Sequence, residues 1–206
     1  MAQAEKLKIA VLASGSGSNL QAIIDEIAAG LLPAELCLVI SDKPDAYALQ
    51  RAQKANVPTK ILLPQDFASR LDYDAQLVQI LQAAKVEVVA LAGYMRLGPP
   101  TLLNAFPQRV LNIHPALLPS FPGLHAQRQA FEYGVKVAGC TVHFVDEGMD
   151  SGPIILQAPV PVLDTDDADS LAARILEQEH IIYPLALRLL AEGKLHIVGR
   201  RVQIDD

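Results

Sequence analysis

An asparagine, a histidine and an aspartate carry the pattern richest in chemistry. The stretch Leu111-Asn-Ile-His-Pro-Ala-Leu-Leu-Pro-Ser-Phe-Pro-Gly-Leu-His125 sets Asn112 and His114 two residues apart at the end of an apolar run. If that run is a strand, alternation puts both side chains on one face. Pro115, Pro119 and Pro122 exclude an immediate helix and stiffen the following loop, and a stiff loop holds a site to close tolerance. Further on, Asp146-Glu-Gly-Met-Asp-Ser-Gly-Pro153 puts Asp150 in a loop between two apolar runs. A neighbouring carboxylate favours the charged form of a histidine and fixes its ring. Asn112, His114 and Asp150 would together form an acid/base and oxyanion-stabilising set. The same residues also suit structural duties: Asn112 as a strand-end turn former, His114 as a buried, hydrogen-bonded histidine, Asp150 as a turn residue before Gly152-Pro153. Nucleophilic catalysis fits less well. Neither Cys37 nor Cys140 has an obvious histidine beside it in sequence, and the chain holds no G-x-S-x-G elbow.

A second pattern is Ser14-Gly-Ser-Gly-Ser-Asn19, directly after the apolar run Leu7–Ala13. In an open α/β sheet, ligands sit beyond the carboxyl ends of the strands. Gly15 and Gly17 permit close backbone approach, and Ser16 and Ser18 add hydroxyl donors. A helix beginning here would aim its free N–H groups and positive dipole end at the loop, giving an anion site. A tight turn with Ser18 or Asn19 as a simple helix cap is the structural alternative. The spacing matches neither the dinucleotide fingerprint nor the Walker pattern, so a monophosphate suits the loop better than NAD or ATP.

Both patterns need elements to position them. Leu20, Ile23, Ile24, Ile27 and Ala28 recur at helical spacing, and Gly30 closes that helix. Glu35–Ser41 reads as a strand, Tyr47–Ala55 as a helix and Thr59–Leu63 as a weaker strand. Leu71, Ala75, Val78 and Leu81 mark an amphipathic helix. Val86–Ala92 reads as a buried strand, Leu102–Phe106 as a helical turn and Val110–Ile113 as a strand. This alternation predicts an α/β fold: an open, mostly parallel twisted sheet with helices on both faces. Val137–Val145 and Ile154–Val162 are joined too closely for a parallel crossover, so the sheet becomes mixed in the C-terminal half. A long helix over roughly Asp169–Glu192 follows, with Ser170 or Asp169 as cap and a kink expected at Pro184. The tail reads as a hairpin around Gly199-Arg200. No repeat or low-complexity linker interrupts the chain. One domain over 1–206 is expected, with a phosphate-binding half at about 7–106 and a catalytic half at about 107–206.

Composition narrows the function. The chain has 206 residues, 51% of them hydrophobic and 19% charged, enough for a substantial core and too few charges for disorder. A net charge of -6 disfavours general nucleic-acid binding, which depends on Lys and Arg neutralising phosphates. It leaves room for a small phosphorylated ligand held by backbone N–H groups. Two cysteines far apart in strand-like runs argue against a disulfide framework and fit a reducing compartment. No C-x-x-C metal spacing and no membrane-length apolar run occur. The opening MAQAEKLK is too short and polar for a signal peptide, so a cytoplasmic location is expected, with no membrane partner.

On these residues the chain resembles the folate-dependent phosphoribosylglycinamide formyltransferases of purine biosynthesis. The likeness runs from about Lys8 to Gly193 through SGSGSNLQAII, LAGYMR, LNIHPALLPSFPGLHAQRQA, HFVDEGMDSGPIILQAPVPV and EQEHIIYP. The Asn-x-His-Pro run marks the wider formyl-transfer and formyl-hydrolysis superfamily, and the Gly-Ser-Asn loop points to this branch. The resemblance implies a Rossmann-like formyltransferase fold and 10-formyltetrahydrofolate as co-substrate, with no metal. It implies that Asn112, His114 and Asp150 are catalytic, and that Gly17, Ser18 and Asn19 bind the phosphate of glycinamide ribonucleotide. Glu179 would reach its ribose. Arg70, Met95, Arg96, Leu97, Gly98 and Asn112 would line the folate pocket, with the loop Asp146, Glu147, Gly148 and Met149. Ile175, Leu176, Ile182 and Tyr183 surround Glu179 at helical spacing, where an unpaired carboxylate would be costly. Gly98-Pro99-Pro100 and Gln127 depart from the family pattern and bear on folate selectivity.

The chemistry follows from the implied substrates. A formyl group on nitrogen is a poor electrophile, and attack by a neutral amine turns its carbonyl oxygen into an oxyanion. His114 and the Asn112 amide would stabilise that charge, and Asp150 would orient His114. A monomer or homodimer is expected. Methionyl-tRNA formyltransferase, a sibling, adds a C-terminal nucleic-acid-binding domain; the end at Asp206 and the acidic charge point away from tRNA. Formyltetrahydrofolate hydrolase adds an N-terminal regulatory domain, whereas the first strand here begins near residue 7. A non-catalytic nucleotide sensor on the same fold would bind without turnover.

Overall fold

Continuous apolar runs become strands covered on both faces, as the sequence pattern predicts. The computed structural model describes residues 6–94 and 100–205. The chain forms two compact units that divide between Leu111 and Asn112. In the first, β1 (Leu7–Leu12), α1 (Ser18–Ala28), β2 (Ala34–Ser41), α2 (Tyr47–Lys54) and β3 (Thr59–Ile61) alternate. A 3-10 turn (Pro64–Asp66), α3 (Arg70–Ala83), β4 (Val88–Leu91) and α4 (Pro100–Ala105) complete it. Its strands lie in the order β3-β2-β1-β4, and the pairs β1–β2, β1–β4 and β2–β3 are parallel. Residues Ile9–Leu12 and Val88–Leu91 are buried throughout, which is why neither run alternates with polar residues.

Two local expectations in this first unit need correction. The buried face of α3 is Tyr73, Asp74, Leu77 and Leu81, whereas Leu71 is 61% exposed. Ser69 caps the helix by accepting from the Asp72 N–H at 3.2 Å. Leu71 therefore sits in a first turn that faces solvent, and the inward stripe starts at Tyr73. The Tyr73 ring meets Phe67 edge-on at 5.4 Å, and its hydroxyl pairs with that of Tyr94. On α1 neither Ser18 nor Asn19 is the cap. Gly17 takes that place in the left-handed region at φ 68, with no side-chain cap bond.

β5 (Val110–His114) leads the chain from the first unit into the second. There follow α5 (Ala126–Tyr133), β6 (Val137–Phe144), β7 (Ile154–Pro161), α6 (Ala168–Ala191), β8 (Leu195–Val198) and β9 (Arg201–Ile204). The strand order is β5-β6-β7-β9-β8. β6 and β7 are antiparallel, as their short connection requires, and β8 and β9 form the expected hairpin. β9 pairs parallel with β7, so this part of the sheet is mixed. The α6 cap is Asp167, not Ser170 or Asp169. Asp167 accepts from the Ser170 N–H at 2.7 Å while the Ser170 hydroxyl takes the Asp167 N–H at 3.0 Å, a reciprocal capping box. Pro184 lies inside α6. Among the described residues no helix is long and apolar enough to cross a membrane.

A buried polar knot stiffens the proline-rich loop after β5. The Thr141 hydroxyl donates to the Ala116 carbonyl at 2.7 Å and accepts from the Leu118 N–H at 3.1 Å. The Gln157 amide donates both to that hydroxyl and to the Leu118 carbonyl, at 3.0 and 2.9 Å. Thr141 is fully buried, so no water can replace its bonds. Thr141→Val is expected to lower stability by about 3 kcal/mol, through the loop groups left unpaired. Chemical denaturation measures this, and a loss below about 1 kcal/mol would mean the loop is held otherwise.

Candidate active site

β5 delivers Asn112 and His114 to its carboxyl end, and the loop between β6 and β7 delivers Asp150. His114 Nδ1 lies 3.4 Å from Asp150 Oδ2, with both side chains more than nine-tenths buried. His114 Nε2 lies 2.9 Å from the Phe121 carbonyl oxygen. A ring nitrogen facing a carbonyl must carry its hydrogen, so Nε2–H donates there. Nδ1, on the Asp150 side, is then the nitrogen that can take up or give a proton.

Asp150 is held from several directions. Its Oδ2 accepts from the Gly123 N–H at 2.7 Å. Its backbone adopts φ 48, a left-handed conformation that costs a non-glycine residue roughly 1 kcal/mol or more. The surrounding loop fixes it there. Asp146 Oδ1 accepts from the Ser151 hydroxyl at 2.6 Å and from the Gly148 N–H at 3.1 Å. Phe144 N–H donates to the Pro153 carbonyl at 2.9 Å. A Cβ on Gly152 would run into the Phe144 carbonyl oxygen, and one on Gly148 into the Ser151 hydroxyl. Arg200, from the β8–β9 turn, donates to the Ser151 carbonyl at 2.7 Å.

His143 is a member of this cluster that sequence reasoning missed. Its Nδ1 donates to the Phe144 carbonyl at 2.9 Å, which leaves Nε2 as an acceptor. Asn112 Nδ2 lies 3.3 Å from that nitrogen and donates to it. The bond settles which way the Asn112 amide faces, and among the described residues its second N–H has no acceptor. Burial pushes the His143 ring toward its neutral form, against the raising effects of the Phe144 carbonyl and Asp150. Neutral His143 is therefore no ion-pair partner for Asp150 Oδ1 at 3.7 Å. A register shift between Val142 and His143 marks the position; such bulges re-aim side chains beside active sites. The available signal was alternation in Thr-Val-His, which puts Thr141 and His143 on one face.

The other expected site residues fall as follows. Gly17, Ser18 and Asn19 open α1 in the first unit, after the buried Ser14, whose hydroxyl has no partner among the described residues. Arg70 begins α3 there, its Nε 3.9 Å from Asp74 Oδ2 and its side chain largely exposed. Met95, Arg96, Leu97 and Gly98 lie outside the described residues. In the second unit Glu147 and Met149 are exposed, while Asp146 turns inward as the loop clip. Glu179 is buried on α6 among Ile175, Ile182 and Tyr183. Its charge adds to burial in pushing the Cys140 thiol up to about 12, and such a thiol is no nucleophile at neutral pH. Burial likewise raises Cys37. Among the described residues no group of His, Cys, Asp and Glu could hold a metal ion.

An amide donor and an imidazole on a strand end, with a carboxylate held beside them by a clipped loop, suit acyl-type transfer through an oxyanion. Residues 7–187 match the family described as formyl transferase. The chain belongs to the formyl transferase family. Among the relatives of this formyl transferase is the phosphoribosylglycinamide formyltransferase of Escherichia coli K12. The two are 46% identical over 199 residues, which cover 97% of this chain and 94% of that protein. The chain is also 50% identical over 195 residues to the trifunctional purine biosynthetic protein adenosine-3 of Drosophila melanogaster. That match covers 94% of this chain and 14% of that much longer protein. The crystal structure of glycinamide ribonucleotide transformylase 1 from Symbiobacterium toebii superposes with a TM-score of 0.97 at 57% identity. It covers 100% of this chain and 96% of that one. The α/β architecture with its mostly parallel, mixed sheet is that of these formyl transferases.

Proposed function

We propose that this chain transfers the formyl group of 10-formyltetrahydrofolate to the amine of 5'-phosphoribosylglycinamide, a step of de novo purine synthesis. The products are formylglycinamide ribonucleotide and tetrahydrofolate. The observation that carries this reading is the His114–Asp150 pair, 3.4 Å apart beside Asn112, in a formyl transferase chain. The names of the bacterial relatives of similar length support the substrate.

In the proposed step the neutral glycinamide amine attacks the formyl carbon, a C–N bond forms, and the carbonyl becomes a C–O⁻ centre. The free N–H of Asn112 and the protonated edge of His114 stabilise that oxygen, each such donor contributing about 3 kcal/mol. The bond between the formyl carbon and the folate nitrogen N10 then breaks. One proton leaves the amine nitrogen and one reaches N10. His114 Nδ1, backed by Asp150, is the nitrogen placed to carry it. Neutral His143 keeps the Asn112 amide facing the reaction.

The loop Gly17–Asn19 takes the ribonucleotide phosphate in this reading, and Glu179 the ribose. Arg70, the segment Met95–Gly98 and the loop Asp146–Met149 serve the folate. Support for the phosphate assignment is local. Among the described residues, no acceptor takes the main-chain N–H of Ser16, Gly17 or Ser18. Left-handed Gly17 followed by helical residues makes a concave nest of such groups. Gly17→Ala would place a Cβ 2.6 Å from Ala48 Cα and 2.7 Å from Ala48 Cβ, at a φ that disfavours it. This variant is expected to raise the KM for the ribonucleotide about 100-fold, with a much smaller change for the folate. Steady-state kinetics in each substrate checks it, and equal effects on both KM values would count against the assignment.

The function itself is tested by following folate absorbance with different acceptors. Turnover that saturates in both glycinamide ribonucleotide and 10-formyltetrahydrofolate, and is absent with methionyl-tRNA, supports the reading. Formate release that needs no amine acceptor would make the chain a hydrolase.

A further inference from the structure

The loop that opens α1 is braced from behind by α2, and one side chain does most of it. Arg51 Nε donates to the Ser16 carbonyl at 2.9 Å, and Arg51 Nη1 donates to Gln21 Oε1 at 3.1 Å. Gln21 is oriented in turn, because its Nε2 donates to Asp25 Oδ1 at 2.8 Å. The Arg51 guanidinium also lies over the Tyr47 ring, 4.9 Å from its centroid. One turn earlier, the Ala48 N–H donates to the Gly15 carbonyl at 3.1 Å. Two successive carbonyls of the loop, Gly15 and Ser16, are thus drawn toward α2.

A trans peptide points its C=O and N–H in opposite directions. Fixing the Gly15 and Ser16 carbonyls on α2 therefore turns the Ser16 and Gly17 N–H groups the other way. Those are two of the three loop N–H groups with no acceptor among the described residues. The brace also sets a permanent positive charge beside the nest, in a chain whose net charge is -6. The first turn of α1, residues 18–21, carries no charged side chain of its own.

We propose that Arg51 is a positioning and specificity residue for the phosphorylated substrate: it orients the Ser16–Gly17 peptide and holds a fixed cation against the anion loop. This deepens the reading of Gly17–Asn19 as the phosphate site and rests on it. The signal was invisible in sequence, where Arg51 is an ordinary helix residue 35 positions from the carbonyl it holds.

The test compares kcat/KM on glycinamide ribonucleotide and on its dephosphorylated ribonucleoside for the parent enzyme, Arg51→Gln and Arg51→Lys. The parent is expected to prefer the phosphorylated substrate strongly. Arg51→Gln should cut kcat/KM on that substrate roughly tenfold, mainly through KM. Its penalty on the ribonucleoside should be at least about fivefold smaller. Arg51→Lys restores charge without the planar fork and should recover part of the loss. Inhibition by inorganic phosphate should weaken in parallel. Equal penalties on the two substrates would reduce Arg51 to a fold-stabilising residue and overturn the proposal, as would no penalty at all. A parent enzyme that fails to distinguish the two substrates would instead remove the phosphate reading of the loop, and this proposal with it. Should Arg51→Gln not fold, Arg51→Lys supplies the same comparison.

Discussion

His114→Ala is expected to lower kcat by about 10³- to 10⁴-fold, with KM values for both substrates changed little. The variant removes two contributions at once. It deletes the Nδ1 edge that faces Asp150 at 3.4 Å, hence the proton carrier, and it deletes a cationic donor to the developing oxyanion. Loss of an interaction made chiefly in the transition state shows in kcat, whereas loss of uniform binding shows in KM. The fold should survive, because the group left without its donor is the Phe121 carbonyl of a loop already pinned by Thr141 and Gln157. A thermal melt beside the kinetics separates the two effects. Retention of more than about a tenth of the parent kcat would show that His114 is a structural histidine.

Asp150→Asn is the second large effect, expected at about 10³-fold in kcat. An asparagine oxygen can still accept from the Gly123 N–H, so the left-handed turn at φ 48 persists, and Asn tolerates that conformation well. What disappears is the charge that steadies a protonated His114 and orients its ring. The variant therefore isolates electrostatics from geometry. A kcat within about tenfold of the parent would place the charge outside the chemistry. Acid also acts on the fold through His143. Its folded-state pKa is depressed by burial, so the unfolded chain binds the proton first as pH falls. That group's contribution to stability is complete above about pH 6.5 and declines below it.

Much of this architecture was legible because strand and helix periods differ so plainly. Ile9–Leu12 and Val88–Leu91 read as strands covered on both faces, and the short joint before Ile154 demanded an antiparallel pair. Where the pattern was thin, tertiary context decided. Helix α5 carries only two buried residues, Ala126 and Ala130, and follows a left-handed His125, so no apolar stripe announced it. The α3 stripe was mistaken because Leu71 looks like a core residue, and only the Ser69 cap reveals that it faces out. Asn112 and His114 were legible as a pair through strand alternation. Asp150 was legible as a candidate carboxylate for them, while His143, 31 positions from Asn112, was not, since nothing in one sequence states who meets whom. Glu179 stood out for the opposite reason, as a carboxylate on an otherwise apolar helix face.

The most direct measurement carries a ¹³C label on the formyl carbon of 10-formyltetrahydrofolate and follows it by NMR in the presence of glycinamide ribonucleotide, with His114→Ala alongside. The label is expected to move to the glycinamide nitrogen at the rate tetrahydrofolate appears, and this transfer should all but stop in the variant. Label accumulating as free formate, or label still on the folate with the parent enzyme, would contradict it.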